Sequence, residues 1–100
     1  MKREAVLNYL RSKKDEFRIR YGITTLGIYG SVARDEATEK SDIDIFYERD
    51  SSIELESGLE FMRISDVIAQ NLHVPKVDFV SLKYMNPIIK HYAQKDFIYV

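Results

Sequence analysis

The sequence predicts an α/β fold in which a small mixed sheet has helices packed against it. Two observations lead to this prediction. Segments with helical periodicity alternate with short runs rich in β-branched and aromatic residues, in the order α-β-α-β-α-β-α, and glycine or proline punctuates the junctions. Strands separated by helices favour a parallel or mixed sheet. A chain of 100 residues is expected to form one domain, residues 1–100.

The first helix is expected over residues 2–20, because Val6, Leu10 and Phe17 recur on one face at helical spacing. Gly22 lies just beyond the last charged turn and is a suitable C-terminal stop. The elements predicted next are a strand at 24–29, a helical turn at 30–36, a polar loop at 37–41 and a strand at 42–48.

The second half begins with a helix predicted over residues 55–72. Its apolar face is expected to contain Leu55, Leu59, Phe61, Met62, Ile64, Ile68 and Leu72. A short strand is predicted at 77–80. The Asn86-Pro87 pair marks a helix start, and Ile88, Ile89 and Tyr92 are expected to form the buried side of that helix. Residues 97–100 are predicted as a final short strand.

Composition narrows the classes of function. The chain has no cysteine, which excludes disulfides, zinc–thiolate sites and cysteine nucleophiles. A net charge of −1 provides no overall basic field for a nucleic acid backbone, so direct nucleic acid binding is not expected. The N-terminus lacks the apolar core of a signal peptide, and no run reaches the ~20 apolar residues of a membrane span. A cytoplasmic protein without a membrane partner is expected.

Two carboxylates stand out in the predicted strand at 42–48. Side chains alternate along a strand, so Asp42 and Asp44 point to one side while Ile43 and Ile45 point to the other. The two acids lie roughly 7 Å apart along the strand at ~3.3 Å per residue. Like charges at this separation raise each other's pKa unless a cation neutralises them, and hard oxygen ligands are those that Mg²⁺ prefers.

A third acid and a glycine-serine turn extend this candidate site. Asp78 lies in another apolar strand and would complete a three-carboxylate site for two Mg²⁺ ions if the strands are neighbours; two such ions clamp the attacking and leaving oxygens of a phosphoryl displacement. Gly30 lets backbone N–H groups approach a phosphate, and the Ser31 hydroxyl can donate another hydrogen bond. Arg34 could reach a phosphate oxygen. Alternatively, Asp78 is a surface residue, and Arg34 pairs with a neighbouring acid.

The motif GSVARDEATEKSDIDIFYE, followed by KVDFVSL, resembles the nucleotidyltransferase superfamily typified by DNA polymerase β. More narrowly, it is similar to the minimal nucleotidyltransferases, small single domains that are paired with HEPN-type ribonuclease toxins. The resemblance implies that Gly30 and Ser31 hold the nucleotide triphosphate, and that Asp42 and Asp44 bind two Mg²⁺ ions. It also implies that Asp78 binds one metal ion and helps to activate the attacking hydroxyl.

One position departs from the family pattern. The family usually has glycine after the Ala-Arg pair, where this chain has Asp35. An aspartate near a triphosphate would repel it unless the side chain points outward.

The expected function is transfer of a nucleoside monophosphate, AMP from ATP, to an acceptor hydroxyl. Resemblance to the minimal family implies that this hydroxyl belongs to a tyrosine of a partner HEPN ribonuclease, which would make the protein an antitoxin in a hetero-oligomer. One alternative is an antitoxin that neutralises its partner by binding alone. Another is nucleotidyl transfer to a small molecule.

Overall fold

The computed structural model describes residues 2–100 and confirms an α/β architecture with a mixed sheet. The five helices in this part of the chain are α1 (Arg3–Tyr21), α2 (Gly30–Ala33), α3 (Gly58–Met62), α4 (Ile64–Leu72) and α5 (Pro87–Ala93). The strands are β1 (Ile23–Tyr29), β2 (Ile43–Arg49), β3 (Val77–Ser81) and β4 (Ile98–Tyr99), and a 3₁₀ turn, Gln94–Asp96, precedes β4.

The sheet has the strand order β3-β2-β1-β4. Strand β1 pairs antiparallel with both β2 and β4, whereas β2 and β3 are parallel. Because β2 and β3 run in the same direction, the chain between them must cross over the sheet, and α3 and α4 form this crossover. Strand β2, which contains Asp44, has β3 on one side and β1 on the other, so it is a central strand of the sheet.

The two faces of β2 have different surroundings. Ile43 and Ile45 are fully buried in the main core together with side chains of α1 and α4. On the other face, Phe46 is also fully buried, in a smaller cluster with Leu82 and Met85. Asp44 lies on the same face as Phe46 because side chains alternate along the strand. The prediction that Ile43 and Ile45 point to one side of the strand and Asp44 to the other is confirmed.

Helix α1 agrees with its prediction to within one residue at each end. Val6, Leu10 and Phe17 are buried as expected. Gly22 has a left-handed backbone conformation (φ 70°), and its N–H bonds to the carbonyl oxygen of Arg18. This conformation carries little penalty for glycine, which explains why the helix ends there.

The single helix predicted over residues 55–72 is wrong, because the structure has two helices separated at Arg63. Ile64 and Ile68 are buried, whereas Leu59 and Met62 are exposed. At about 100° per residue, the latter pair would lie on the side of a continuous helix opposite to the former. One straight helix therefore could not bury all of the apolar positions.

The start of α5 is confirmed, but its predicted burial is wrong. The Asn86 side chain accepts hydrogen bonds from the N–H groups of Ile88 (2.9 Å) and Ile89 (3.4 Å), and Pro87 occupies the first turn. Ile88, Ile89 and Tyr92 are nevertheless exposed, and no residue of α5 is buried. The helical spacing identified the apolar face correctly, but the fold turns this face outward.

Within residues 2–100, no helix combines the length and the apolar character needed to cross a membrane.

Candidate functional site

The sheet brings Asp44 and Asp78 together. They are partners in the register of the parallel strands β2 and β3, so their side chains leave the same face of the sheet. On the other side of β2, Asp44 is the register partner of Tyr29, the last residue of β1. Gly30 follows directly, and a Cβ atom added there would overlap Oδ2 of Asp44. Three segments that are distant in sequence thus meet around one carboxylate.

Asp42 lies immediately before β2 and is exposed. Because it is two residues from Asp44, the two-residue period of a strand places both acids on the same side. The neighbouring segment is held in place by a hydrogen bond from the N–H of Ile43 to the carbonyl oxygen of Lys76 (3.1 Å). The Lys76 ammonium group lies 3.4 Å from Oδ1 of Asp78, and this ion pair is open to solvent. The third predicted acid therefore has a cationic partner in this structure.

Electrostatic crowding is strongest at Asp44. Burial, followed by the charge of Asp78, a hydrogen bond with Asp78 and the charge of Asp42, raises the pKa of Asp44 from 3.8 to about 6. The positive charge of Arg34 acts in the opposite direction. The charges of Asp42 and Asp78 therefore both act on Asp44, which places the carboxylate of Asp44 at the centre of the three predicted acids.

Tyr29 is a member of this site that the sequence analysis treated only as part of a strand. Burial, followed by the charges of Asp44 and Asp78, raises the pKa of its phenol to about 12. The ring packs edge-on against Phe97 at 5.8 Å between centroids. The phenol therefore stays protonated at neutral pH beside the two acids. No sequence signal marked it, because its position depends on the pairing of β1 with β2.

The glycine-serine turn lies where the sequence analysis placed it. Gly30 opens α2 with φ 72°, a left-handed conformation that favours glycine, and Ser31 follows half-buried. Because β1 and β2 are adjacent and antiparallel, the end of β1 meets the beginning of β2 at one edge of the sheet. The predicted phosphate turn and the paired acids are therefore neighbours.

Arg34 is engaged at the rim of the site. Its guanidinium bonds to Oδ2 of Asp96 at 2.8 Å and to Oε2 of Glu36 at 3.1 Å. The pairing with Glu36 is the local alternative considered from the sequence, while Asp96 is a partner supplied by the fold. These two acids raise the pKa of Arg34 further. A phosphate contact would require the guanidinium to exchange one of these partners.

Asp35 has a structural partner of its own. Its backbone is left-handed (φ 59°), which explains why glycine suits this position. Its Oδ1 accepts a hydrogen bond of 3.0 Å from the N–H of Arg3, in the first turn of α1. The Arg3 side chain in turn donates to the carbonyl oxygen of Ala33 in α2 (3.2 Å). The Asp35 carboxylate thus caps α1 instead of reaching into the phosphate turn.

This cap predicts a specific order of stabilities at position 35. Asp35→Ala removes a cap worth about 1 kcal/mol, and alanine also lacks the short polar side chain that helps aspartate to adopt a left-handed backbone, which costs roughly 1 kcal/mol more. Asp35→Gly loses the cap but also removes the strain of the left-handed backbone, so the two effects offset each other. Asp35→Asn keeps a side-chain oxygen that can accept the hydrogen bond from the N–H of Arg3. We expect urea denaturation to place only the alanine variant about 2 kcal/mol below wild type. Equal stabilities for alanine and asparagine would contradict the cap.

The oxygen ligands fit a hard divalent cation, although they are not yet arranged as a closed site. In the part of the chain that the structure describes, no three histidine or acidic side chains are grouped closely enough to hold a metal ion. Asp44 and Asp78 do form a mutually repelling pair, and Asp42 adds a third negative charge nearby. Bringing in Mg²⁺ would relieve this repulsion, since carboxylate oxygens are its preferred protein ligands.

Sequence comparison identifies the family to which these features correspond. Residues 10–100 match the family model described as "Nucleotidyltransferase domain". "Putative protein adenylyltransferase MJ0128" from Methanocaldococcus jannaschii is 38% identical over 98 residues, which cover 95% of this chain and 94% of the relative. "Protein adenylyltransferase MntA" from Thermococcus cleftensis is 30% identical over 97 residues, covering 97% of this chain and 94% of the relative.

Comparison of folds leads to the same group. A solved structure described as "Structure of putative minimal nucleotidyltransferase" matches with a TM-score of 0.72 and 28% sequence identity, covering 98% of this chain and 95% of that one. The resemblance drawn from the sequence motifs is therefore confirmed for the fold and for the family.

Proposed function

The chain belongs to the nucleotidyltransferase domain family, and from this premise we propose that it transfers AMP from ATP to a tyrosine hydroxyl of a partner protein. It is an enzyme of the protein adenylyltransferase type, as its relatives are named. The observation that supports the site assignment is the register pairing of Asp44 with Asp78 beside Gly30. These residues come from three strand ends and share one edge of the sheet.

The proposed reaction is a single displacement at phosphorus. The acceptor oxygen bonds to the α-phosphorus of ATP while the bond from that phosphorus to the bridging oxygen breaks, and pyrophosphate leaves. The hydroxyl proton passes to a carboxylate, for which Asp78 is suited because its side chain is about one-third exposed. Ser31 and the backbone N–H groups of the turn hold the outer phosphates. Asp44, whose pKa is raised by burial and by the neighbouring acids, is assigned to orientation and charge.

Asp42, Asp44 and Asp78 would hold the two Mg²⁺ ions. When bound, these ions supply neutralisation of the triphosphate charge and of the charge that develops on the entering and leaving oxygens. The raised pKa of Asp44 supports this assignment, because an acid held in such a crowded place is stabilised once a cation is bound. Tyr29 contributes a protonated phenol, a hydrogen-bond donor that can orient either carboxylate.

The proposed partner is a HEPN-type ribonuclease toxin, which the chain would inactivate by modifying a tyrosine, in the role of a cytoplasmic antitoxin. This part of the proposal comes from the resemblance to the minimal family. Inhibition by binding alone and transfer to a small molecule remain competing functions. Identifying a neighbouring gene for a ribonuclease with an Arg-x₄-His motif would support the proposed partner.

The test incubates the purified chain with ATP labelled on the α-phosphate, Mg²⁺ and the ribonuclease. We expect label on the ribonuclease, located to tyrosine by mass spectrometry, and loss of its nuclease activity. The Asp42→Ala/Asp44→Ala variant should bind the ribonuclease but transfer no label. If this variant neutralises the toxin as well as wild type does, the protein acts by binding alone. Label that appears only on a small acceptor would overturn the proposed substrate.

A further inference from the structure

The apolar side of α5 lies next to the proposed active site. A cleft of about 440 Å³ separates it from Tyr29 and Gly30, and Ile88, Ile89 and Tyr92 line the cleft on the helix side. The same glycine borders the carboxylate of Asp44. A macromolecule that presents a hydroxyl group to the acids would therefore pass over this helix face, which we name the α5 face and define by Ile88, Ile89 and Tyr92.

The α5 face is held in an ordered helix although none of its residues is buried. The Asn86 cap and Pro87 in the first turn stabilise the start of the helix locally. Three large apolar side chains on one exposed helix are more than scattered surface residues, and contiguous apolar surface of this kind marks interaction sites. An amphipathic helix offers such a face to a complementary groove or helix in a partner protein.

The charge around the α5 face favours a different partner protein over a second copy of this chain. Lys95 lines the cleft beside the α5 face and is exposed, whereas Lys90 points to the opposite side of the helix, where it borders a pocket with Glu48. Asp96, the residue after Lys95, has its carboxylate paired with Arg34. In a two-fold pairing between copies of the chain, the same patch would face itself and oppose lysine with lysine. A partner whose apolar patch has an acidic rim would instead complement both features.

We propose that the α5 face is the docking surface for the acceptor protein, and that this protein presents an apolar patch with an acidic rim. The inference rests on the proposed function, because it takes the acceptor to be a protein. Docking on this face holds the partner beside the Gly30 turn, so that binding energy gained away from the reacting atoms brings the acceptor hydroxyl to the acids.

The chain offers a matched pair of variants for the test. Ile88 on α5 is 70% exposed, and Ile19 on α1 is 71% exposed, so aspartate at either position removes an equally solvated side chain. Titration calorimetry with the HEPN-type ribonuclease should show at least about tenfold weaker binding for Ile88→Asp, as for a residue at the centre of an interface. Ile19→Asp should bind like wild type, and the affinity for ATP should be unchanged in both.

Each outcome decides the proposal. Equal ribonuclease affinities for the two aspartate variants would overturn it, and so would failure of wild type to bind the ribonuclease. A comparable loss of ATP affinity in Ile88→Asp would assign the cleft to the nucleotide. A wild-type dimer that becomes a monomer in Ile88→Asp would assign the α5 face to a second copy. If the affinity pattern holds but no label is transferred, the docking surface stands and the proposed enzymatic function fails.

The acidic rim has its own test. Lys95 lines the cleft and is exposed, whereas Lys14 is exposed on α1. Lys95→Glu should weaken ribonuclease binding several-fold more than Lys14→Glu does, and it should reduce the dependence of affinity on salt. Equal effects of the two substitutions would refute the acidic rim.

Discussion

Asp44→Asn should lower the rate of AMP transfer by about three orders of magnitude and at the same time make the protein more stable at neutral pH. The loss of rate follows because an amide supplies no negative charge to a metal ion at the centre of the acid cluster. The gain in stability follows because the fold disfavours the ionised carboxylate. Label transfer and thermal unfolding of the same preparation measure the two effects.

The gain in stability should depend on pH in a direction that the pKa determines. The pKa of Asp44 in the fold is about 6, compared with 3.8 for the unfolded chain, so the fold favours the protonated form. The stability that this group contributes is fully present below pH 3.8 and is lost as the pH rises through about 6. Asparagine does not titrate, so the advantage of Asp44→Asn should appear between pH 4 and pH 7.

The size of this advantage is limited by solvent. Because Asp44 is only half-buried, its repulsion from Asp78 is partly screened, and we expect a gain of about 1 kcal/mol at pH 7. Glu48→Gln is the matched control, since Glu48 lies on the same strand and the same face but is exposed. Added Mg²⁺ should raise the melting temperature of wild type more than that of Asp44→Asn. A pH-independent difference would contradict the electrostatic origin.

Gly30→Ala should reduce both stability and AMP transfer severely. Position 30 has φ 72°, which costs a residue with a Cβ atom roughly 1–2 kcal/mol, and the new methyl group would also overlap the Asp44 carboxylate. We expect a loss of at least about 2 kcal/mol in the free energy of unfolding. The carboxylate must also move, so transfer should fall even at temperatures where the variant is folded. Urea denaturation and label transfer test this.

Alanine variants of two other glycines distinguish the effect of backbone strain from the effect of overlap with the Asp44 carboxylate. Gly22→Ala carries the same backbone strain (φ 70°) at the end of α1, away from the acids, so it should lose stability but keep the transfer rate of its folded fraction. Gly58→Ala introduces a methyl group with no described atom within 4 Å and should stay close to wild type in both respects. A Gly30→Ala enzyme that transfers AMP at the wild-type rate would exclude the close approach of this turn to Asp44.

Local patterns in the sequence were sufficient for several features of the site. The alternation of acids and isoleucines placed Asp44 on the face opposite to the main core, and the structure agrees because this property depends only on the two-residue period of a strand. Gly22 and the Asn86-Pro87 pair marked helix ends correctly, since caps involve neighbouring residues. The glycine-serine turn was also placed correctly, because a glycine at the junction of a strand and a helix is a local signal too.

Other features required contacts between distant segments. The sequence offered Asp78 only as a possible neighbour, and the parallel pairing of β2 with β3 decided that it faces Asp44. Periodicity identified the apolar side of α5, but whether that side faces the core depends on how the whole chain packs, and the fold leaves it exposed.

The role of Asp35 was likewise decided by the tertiary structure. Its contact with Arg3 joins the turn after α2 to the beginning of α1, two points that no local pattern connects. The sequence by itself therefore determined on which side of their elements the candidate site residues lie. Strand order and register determined which of these residues meet, because pairing between distant segments is set by the burial of the complete chain rather than by the period of any one segment.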